Sequence, residues 1–289
     1  MSMIRFGPAG NSEAFYEEGH KHTYQQPEWL SKMGLNAFEY SFGRGVRIKE
    51  ESAQKIRVEA DKFGIQISVH APYYINLAGE GEERYEKNLM YFLQSMQAAK
   101  WLGAKRVVFH PGSCAKIDRT VASSRVKECL VRILKEADEA GYGDLILCPE
   151  TMGKINQVGD LNEVIEFCLL DERLLPTIDF GHLHARGVGA IQSLEDYSFI
   201  LDEIKNRLGS ERGKNFHVHF SKIEYTKSGE RMHRTFDDEG YGPDFEPLAQ
   251  LIVQRDLTPH IICESKGTMA KDALTMKKIY EQMKAVKES

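Results

Sequence analysis

Histidine and carboxylate side chains recur in this 289-residue chain where short apolar runs end. His70 follows Ile-Ser-Val, His110 follows Val-Val-Phe, and Glu150 follows Leu-Cys-Pro. Asp179 follows Thr-Ile, and Glu264 follows Ile-Ile-Cys. Imidazole nitrogens and carboxylate oxygens suit Zn²⁺ and Mn²⁺, and one carboxylate can bridge two ions because it has two oxygens. The pattern therefore predicts a metal site built from the ends of several elements.

Further histidines enlarge this set beyond the needs of one ion. His182 lies three residues after Asp179, His217 lies in a later apolar run, and His233 lies in the stretch after that run. A catalytic zinc takes about three protein ligands, so we expect two or three ions, Zn²⁺ in the first instance and Mn²⁺ as the alternative. Paired ions stabilise the attacking and leaving oxygens of a phosphoryl displacement. We interpret His219 as facing the surrounding helices in a structural role.

The elements that must position these residues alternate along the chain. Eight short apolar runs, typical of strands buried on both faces, are Met3–Gly7, Asn36–Ser41, Gln66–His70, Arg106–His110, Leu145–Glu150, Thr177–Phe180, Phe216–Phe220 and His260–Glu264. Amphipathic helical patterns lie between them at Glu51–Phe63, Glu83–Leu102, Ser123–Ala140, Leu161–Leu170, Ser193–Leu208, Asp244–Arg255 and Ala270–Lys287. Asp160 and Ser193 are predicted N-caps.

Eight strand–helix units in fewer than 300 residues favour an α/β fold in the form of a closed (β/α)₈ TIM barrel, a single domain over residues 1–289. An open doubly wound sheet is the alternative, but the chain lacks its G-x-G-x-x-G fingerprint. In a barrel the carboxyl ends of the strands meet at one mouth, where active sites are built. The candidate ligands would converge there.

Composition excludes several classes of protein. Of the residues, 42% are hydrophobic and 28% charged, as in ordinary globular proteins, and the net charge of −5 excludes a protein that coats nucleic acid through overall basicity. No stretch approaches the roughly 20 apolar residues of a membrane span. The sequence MSMIRFGPAG lacks an apolar signal-peptide core. The five scattered cysteines predict free thiols in a reducing cytoplasm. We also expect no membrane association and a monomeric state.

Several motifs resemble those of the endonuclease IV family of DNA-repair enzymes, a group within the xylose isomerase-like TIM barrels. The most specific is His70-Ala-Pro-Tyr73-Tyr-Ile-Asn76-Leu77. Other similar segments are Glu150-Thr-Met-Gly153, Asp179-Phe-Gly-His182, His217 with Ser221-Lys222, His233, and Glu264 in Cys-Glu-Ser-Lys. The resemblance covers the chain from about Gln66 to Gly267.

This resemblance implies a zinc-dependent hydrolase that cuts the DNA backbone 5′ to abasic sites, clears blocked 3′ ends and acts in base excision repair on damaged double-stranded DNA. It implies that His70, His110 and Glu150 hold a first ion. Glu150 would bridge to a second ion, held with Asp179, His217 and Glu264. His182 and His233 would hold a third. Glu150 and Glu264 are the expected catalytic residues.

The sequence departs from the family at the third ion. Arg231 stands where the family carries a carboxylate, and a guanidinium cannot ligate a metal. Either Glu230 or Asp237 substitutes, the site is empty or weakened, or Arg231 binds a phosphate directly. We expect DNA contacts from Tyr73, Arg44, Lys222 and Arg231. Further basic residues expected in the loops at the mouth are Arg47, Lys116, Arg119, Lys154, Arg186, Arg234 and Lys266.

Two other functions remain open at this stage. A sugar isomerase or epimerase of the xylose isomerase-like group would hold one ion with Glu150, Asp179, His217 and Glu264, and its two glutamates would move a proton beside a carbonyl. It would leave His70, His110, His182 and His233 without a ligand role. A non-catalytic barrel would hold no ion. The number of ions bound per chain discriminates among the three.

Overall fold

The computed structural model describes residues 3–114 and 117–288. Its strands are β1 (Arg5–Pro8), β2 (Ala37–Ser41), β3 (Gln66–His70), β4 (Arg106–Phe109), β5 (Gly112–Ser113), β6 (Ile146–Pro149), β7 (Gln157–Val158), β8 (Thr177–Asp179), β9 (His217–Phe220), β10 (Lys222–Thr226), β11 (Gly229–Arg234) and β12 (His260–Cys263). Its helices are α1 (Glu13–Glu17), α2 (Gln26–Lys32), α3 (Glu50–Phe63), α4 (Glu82–Leu102), α5 (Arg119–Glu139), α6 (Leu161–Cys168), α7 (Phe180–Arg186), α8 (Leu194–Lys214), α9 (Glu246–Gln254) and α10 (Met269–Glu288).

Eight parallel strands form two half-sheets, in the orders β2-β3-β4-β6 and β8-β9-β12-β1. Two seams join the half-sheets: a parallel bridge pairs Ala9 with Glu39 between β1 and β2, and another pairs Glu150 with Thr177 between β6 and β8. The sheet is therefore closed, and the predicted (β/α)₈ barrel is confirmed over the open alternative. Each of the eight predicted strands is present, with its ends within two residues of those expected.

Burial explains why these segments fold as they do. The β4 residues Val107, Val108 and Phe109 are fully buried, as expected for a strand covered on both faces. The predicted caps are also confirmed. Asp160 Oδ1 accepts a hydrogen bond from the Glu163 N–H at 2.9 Å, and Glu163 Oε2 accepts one from the Asp160 N–H at 3.0 Å. Ser193 and Asp196 form the same reciprocal box at the start of α8.

The structure adds elements that the sequence patterns did not predict. The helices α1, α2 and α7 have five to seven residues each, too short for a helical period to show. An antiparallel hairpin, β10–β11, occupies the stretch expected to be a long loop. Helix α8 continues past Leu208 to Lys214, with a break at Gly209, where φ is +84°. Among the described residues, no helix combines the length and apolarity needed to cross a membrane.

Candidate metal centre

The carboxyl ends of the barrel strands open into a cleft of about 390 Å³, here called the metal cleft. Its ionisable lining includes four histidines and two glutamates: His70, His110, His182, His233, Glu230 and Glu264. A larger cleft of about 610 Å³ lies beside α4, but no histidine lines it. The metal cleft is therefore where the predicted ligands converge.

The first donor set comprises His70, His110 and Glu150, from the ends of β3, β4 and β6. Glu150 Oε2 lies 3.0 Å from His70 Nε2 and 3.2 Å from His110 Nε2. The Nδ1–H of His70 donates to the carbonyl of Ala71 at 2.8 Å, so this contact fixes the ring and leaves Nε2 facing Glu150. Burial alone would lower the pKa of His70, but the hydrogen bond and charge of Glu150 outweigh it and raise that pKa to about 9.

The second donor set comprises Glu150, Asp179, His219 and Glu264. The other oxygen of Glu150, Oε1, lies 3.3 Å from His219 Nδ1, and Glu264 Oε2 lies 3.5 Å from the same nitrogen. Glu150 is fully buried and belongs to both sets, with one oxygen turned to each. Burial raises the pKa of Glu264, but the charge of His219 outweighs it and lowers that pKa to about 2. Glu150 thus has the position of a bridging carboxylate.

Asp179 reaches the second donor set from the junction of β8 and α7. Its Oδ1 caps α7 by accepting a hydrogen bond from the His182 N–H at 2.7 Å, and its Oδ2 has no hydrogen-bond partner among the described residues although it is buried. Gly181 allows this tight turn, since a Cβ there would lie 2.9 Å from the Ser221 carbonyl oxygen. The Asp-Phe-Gly-His segment therefore leaves one carboxylate oxygen without a hydrogen bond, 3.3 Å from His182 Nδ1.

The third donor set comprises His182, Glu230 and His233. Glu230 Oε2 lies 3.5 Å from His182 Nε2, and Glu230 Oε1 lies 3.8 Å from His233 Nε2. Both rings are held through their other nitrogen: His182 Nδ1–H donates to the Thr151 carbonyl at 2.9 Å, and His233 Nδ1 is 2.8 Å from Ser221 Oγ. Glu230 therefore supplies the carboxylate that the sequence left in question.

A β-bulge places Glu230 in this set. The β10–β11 hairpin pairs Glu224 with Met232 but Tyr225 with Glu230, so Arg231 is an extra residue on β11. In a regular strand two residues three apart face opposite sides, and the bulge turns Glu230 to the same side as the histidine three residues later. Arg231 lies outside the cleft, 64% exposed, and its Nη1 is 2.5 Å from Glu224 Oε1.

Close backbone packing docks the hairpin at the cleft. The Glu230 N–H donates to the Gly153 carbonyl at 3.1 Å, and a Cβ on Gly153 would lie 2.6 Å from that of Glu230. Gly229 has φ of +94°, and a Cβ there would lie 2.2 Å from the Gly153 oxygen. Asp237, the other candidate carboxylate, is exposed and pairs with Lys271 at 2.5 Å. It takes no part in the donor set.

The placements of His217 and His219 require a correction. His219 was expected to face the helices, but residues two apart on a strand share a face, and both side chains point into the barrel. His219 contacts Glu150, whereas His217 lies deeper, with its Nε2 3.1 Å from Glu39 Oε2. His217, predicted as a ligand of the second ion, is therefore not in that set, and His219 occupies its place.

Glu39 is the residue that the sequence patterns missed altogether. It is fully buried on β2, accepts a hydrogen bond from Ser68 Oγ at 2.8 Å, and its Oε1 lies 2.9 Å from His219 Nε2. An ionised carboxylate at this position holds the His219 ring so that Nδ1 faces Glu150. The signal was present as a glutamate within the apolar strand Ala-Phe-Glu-Tyr-Ser, since a buried charge needs a partner.

The donor sets fit a divalent metal in spacing and chemistry. Zinc bonds of about 2.0–2.1 Å in a tetrahedron place neighbouring ligand atoms about 3.3 Å apart. The imidazole–carboxylate contacts within the sets range from 3.0 Å, between His70 and Glu150, to 3.8 Å, between His233 and Glu230, and all donor atoms of a set lie within 4.8 Å of one another. Asp179 Oδ2 makes no hydrogen bond among the described residues and lies 3.3 Å from His182 Nδ1, so it can serve as a ligand oxygen. All donors are imidazole nitrogens or carboxylate oxygens, as Zn²⁺ and Mn²⁺ prefer.

Comparison with known proteins places this site in a family. Residues 27–285 match the family described as xylose isomerase-like TIM barrel. The chain belongs to this family. It is 33% identical to an uncharacterized protein of Methanocaldococcus jannaschii, over 97% of this chain and 98% of that one. It is 26% identical to a probable endonuclease 4 of Shouchella clausii, over 74% of each chain.

Two solved structures agree with this chain in fold. Endonuclease IV from Thermus thermophilus matches with a TM-score of 0.70 and 22% identity, over 99% of this chain and all of that one. A D-tagatose 3-epimerase-like protein matches with a TM-score of 0.73 and 17% identity, over the same shares. The resemblance to endonuclease IV is thus confirmed, and the epimerases are neighbours in fold.

The residues predicted to contact DNA separate into two groups in this family member. Tyr73 lines the metal cleft and is 49% exposed, and Arg44 is exposed in the loop after β2, whose Gly43 carbonyl accepts a hydrogen bond from the Tyr73 N–H. Lys222 instead donates to the carbonyls of Phe236 and Asp238, and Arg231 pairs with Glu224. Tyr73 and Arg44 therefore remain available at the rim, whereas Lys222 and Arg231 have internal partners.

The other basic residues expected in the mouth loops divide in the same way. Arg119 pairs with Glu163 at 2.5 Å, and Arg186 donates to backbone carbonyls, including that of Lys154 at 2.7 Å. Arg234 pairs with Glu224. Lys154 lines the cleft, and Arg47 is exposed. Lys266 Nζ lies 4.0 Å from Met232 Sδ, and Lys116 lies outside the described residues.

Proposed function

We propose that this protein is a multinuclear metal-dependent phosphodiesterase that hydrolyses damaged double-stranded DNA 5′ to abasic sites and clears blocked 3′ ends, in base excision repair. The similarity to endonuclease 4 proteins supports a nuclease within the family. The donor chemistry supports two or three ions, with Zn²⁺ as the first candidate and Mn²⁺ as the alternative.

One observation carries the proposal: three donor sets surround one cleft, and Glu150 belongs to two of them. A single-ion site needs only the second set. In that case the first set, in which His70 and His110 face a buried carboxylate, would have no role in metal binding. The third set would have none either. Adjacent ions are instead what an in-line phosphoryl displacement uses.

The residues of the cleft have separable roles in this proposal. Divalent ions held by the three sets would supply positive charge for phosphodiester hydrolysis. Glu150 keeps the first and second sets in register because each oxygen faces one set. Glu264 lines the cleft, so it is the carboxylate of the second set placed to accept a hydrogen bond from the attacking water and orient it. Tyr73 and Arg44 at the rim would hold the DNA backbone beside the lesion.

The test is incision of a duplex that carries one synthetic abasic site. The purified protein would be assayed as isolated, with added Zn²⁺ or Mn²⁺, and after chelation. We expect cleavage 5′ to the lesion, lost after chelation and in Glu150→Gln, and retained in the matched surface variant Glu51→Gln, whose side chain is 81% exposed. Wild-type incision by Glu150→Gln would refute the shared-carboxylate arrangement.

A sugar epimerase is the second candidate, and a specific observation favours it. Glu150, Asp179, His219 and Glu264 alone form a one-ion set with two glutamates, and the fold matches a D-tagatose 3-epimerase-like protein. This function predicts one ion per chain, epimerisation of a ketose, and no cleavage of abasic DNA. It also predicts that His110→Ala retains activity.

A further inference from the structure

A second polar cavity lies at the opposite, amino-terminal end of the barrel strands. It has a volume of about 230 Å³ and is here called the base cavity. The polar residues that line it are Arg5, Gln66, Arg106, Asn215, Thr258 and His260. Four of them are the first residues of β1, β3, β4 and β12, so the barrel itself holds them in place.

The base cavity carries two positive charges, and no Asp or Glu lines it. Arg106 is only 6% exposed, and its hydrogen bonds go to neutral acceptors: the Phe216 carbonyl at 3.2 Å, and the carbonyl and Oδ1 of Asn215, both at 2.9 Å. Arg5 reaches only the carbonyls of Asn36 and Gly64, at 3.4 and 3.3 Å. Among the described residues, no carboxylate forms an ion pair with either guanidinium.

The partly buried arginines of this chain fall into two groups: some pair with a carboxylate, whereas Arg5, Arg106, Arg186 and Arg212 bond to neutral acceptors among the described residues. Arg119, Arg173 and Arg255 each pair with a carboxylate within 2.7 Å. A buried charge without a partner is costly. Burial lowers the pKa of both Arg5 and Arg106, as expected where no anion offsets the desolvation. The cavity therefore carries positive charge that no lining carboxylate offsets, as an anion-binding site does.

Unused hydrogen-bond donors point to the same ligand. His260 is 2% exposed, yet neither of its ring nitrogens has a hydrogen-bond partner in the part of the chain that the structure describes. The same holds for the hydroxyl of Thr258. The His260 ring stacks on His217 at a centroid distance of 5.0 Å, a contact that uses no nitrogen. Buried polar groups are normally satisfied, whereas the Thr258 hydroxyl and the one N–H of a neutral His260 ring have no acceptor among the described residues.

We propose that the base cavity binds a small dianionic oxyanion, with inorganic phosphate as the simplest example. The oxygens of such an ion are mainly acceptors, which matches a lining with guanidinium, imidazole and hydroxyl donors. Two guanidinium groups match its charge, and the contacts of Arg5 use only its Nη1, which leaves its Nε and Nη2 hydrogens for phosphate oxygens. The ion closes the polar base of the barrel and stabilises the fold, independently of the chemistry at the metal cleft.

The test is a phosphate titration of the metal-loaded protein, followed by calorimetry and thermal unfolding, against sodium chloride at equal ionic strength and pH. Arg5→Gln removes one charge from the cavity at a partly exposed position. Arg57→Gln is the matched control, since Arg57 is exposed on α3 and pairs with Asp61. We expect phosphate to raise the Tm of wild type and Arg57→Gln, and Arg5→Gln to weaken phosphate binding about tenfold or more.

A second variant and a second ligand test the location of the site and the identity of its ligand. Thr258→Val should weaken phosphate binding several-fold without a change of charge. Glycerol phosphate in place of phosphate distinguishes a site for free phosphate from one for a terminal monoester. Phosphate bound at the metal cleft would be unaffected by Arg5→Gln, so equal binding by that variant and wild type would overturn the proposal. Equal stabilisation by chloride, or no binding at all, would overturn it too.

Discussion

The bulge at Arg231 leads to a prediction about the metal affinity of the third donor set. Glu230→Ala removes the only carboxylate of that set and leaves His182 and His233. Glu230 lies 3.5 Å and 3.8 Å from the two imidazole nitrogens, within about 0.5 Å of the spacing of a tetrahedral zinc site. Outer-shell partners alone contribute about 10–100-fold to metal affinity. A direct ligand should contribute at least the upper value, which is about 2.7 kcal/mol.

The assay is metal content by mass spectrometry after dialysis at a fixed free Zn²⁺ concentration, with calorimetric titration of the third ion. Arg231→Ala is the matched control, because it truncates the neighbouring residue in the same way and the Arg231 side chain lies outside the cleft. We expect Glu230→Ala to lose one ion per chain and Arg231→Ala to lose none. Arg231→Asp should not add an ion, since its carboxylate would lie beside Glu224 rather than in the cleft.

The backbone can be tested separately from the side chains. Deleting Arg231 removes the bulge and leaves Glu230 two residues from the histidine, on the same face of a regular strand. This deletion should keep the third ion, whereas one glycine inserted after Arg231 should turn Glu230 away and lose it. Loss of an ion in Arg231→Ala, or full metal content in Glu230→Ala, would refute the assignment of Glu230.

Four other outcomes follow from the site. His219→Ala should lose the second ion while His217→Ala keeps it, because only His219 contacts Glu150; metal content decides, and the reverse result would return His217 to the ligand set. Glu39→Gln should weaken zinc binding about 10–100-fold by releasing the His219 ring, seen by titration and by the absorption spectrum of the Co²⁺ form; an unchanged spectrum would contradict this role. Chelation should lower the Tm by about 5–10 °C, because ions at about 100 times their Kd contribute about 2.7 kcal/mol; an unchanged Tm would mean that the donor sets hold no ion. Tyr73→Ala should weaken binding of abasic DNA by about 1–3 kcal/mol without changing metal content; unaltered binding would remove Tyr73 from the DNA contact.

The sequence was sufficient for the barrel because its strands are short apolar runs between turn signals. It also identified His70, His110, Glu150, Asp179 and Glu264, since each ends such a run and the carboxyl ends of barrel strands converge. Those inferences needed only the order of elements and the direction of the strands. Long-range geometry was not required.

The errors at the site have identifiable causes. His219 was misplaced although the period of two along β9 puts it on the same face as His217, and only the depth of each ring in the barrel decides which one reaches Glu150. Glu230 could not be chosen over Asp237, because a bulge depends on cross-strand pairing that the sequence does not encode locally. Glu39 was not predicted as part of the site, because the partners of a single glutamate in a strand become apparent only when the barrel is closed.

The division of the barrel into two half-sheets has a mechanical consequence. His70 and His110 come from the half-sheet β2-β3-β4-β6, whereas Asp179, His219 and Glu264 come from or directly follow strands of the other half-sheet. Glu150 itself pairs across the seam with Thr177. A metal pair that shares Glu150 would thus connect the two half-sheets, which are joined elsewhere by few backbone bridges. Hydrogen exchange of the amides at this seam should then slow when the ions bind, because the ions would hold the two half-sheets together.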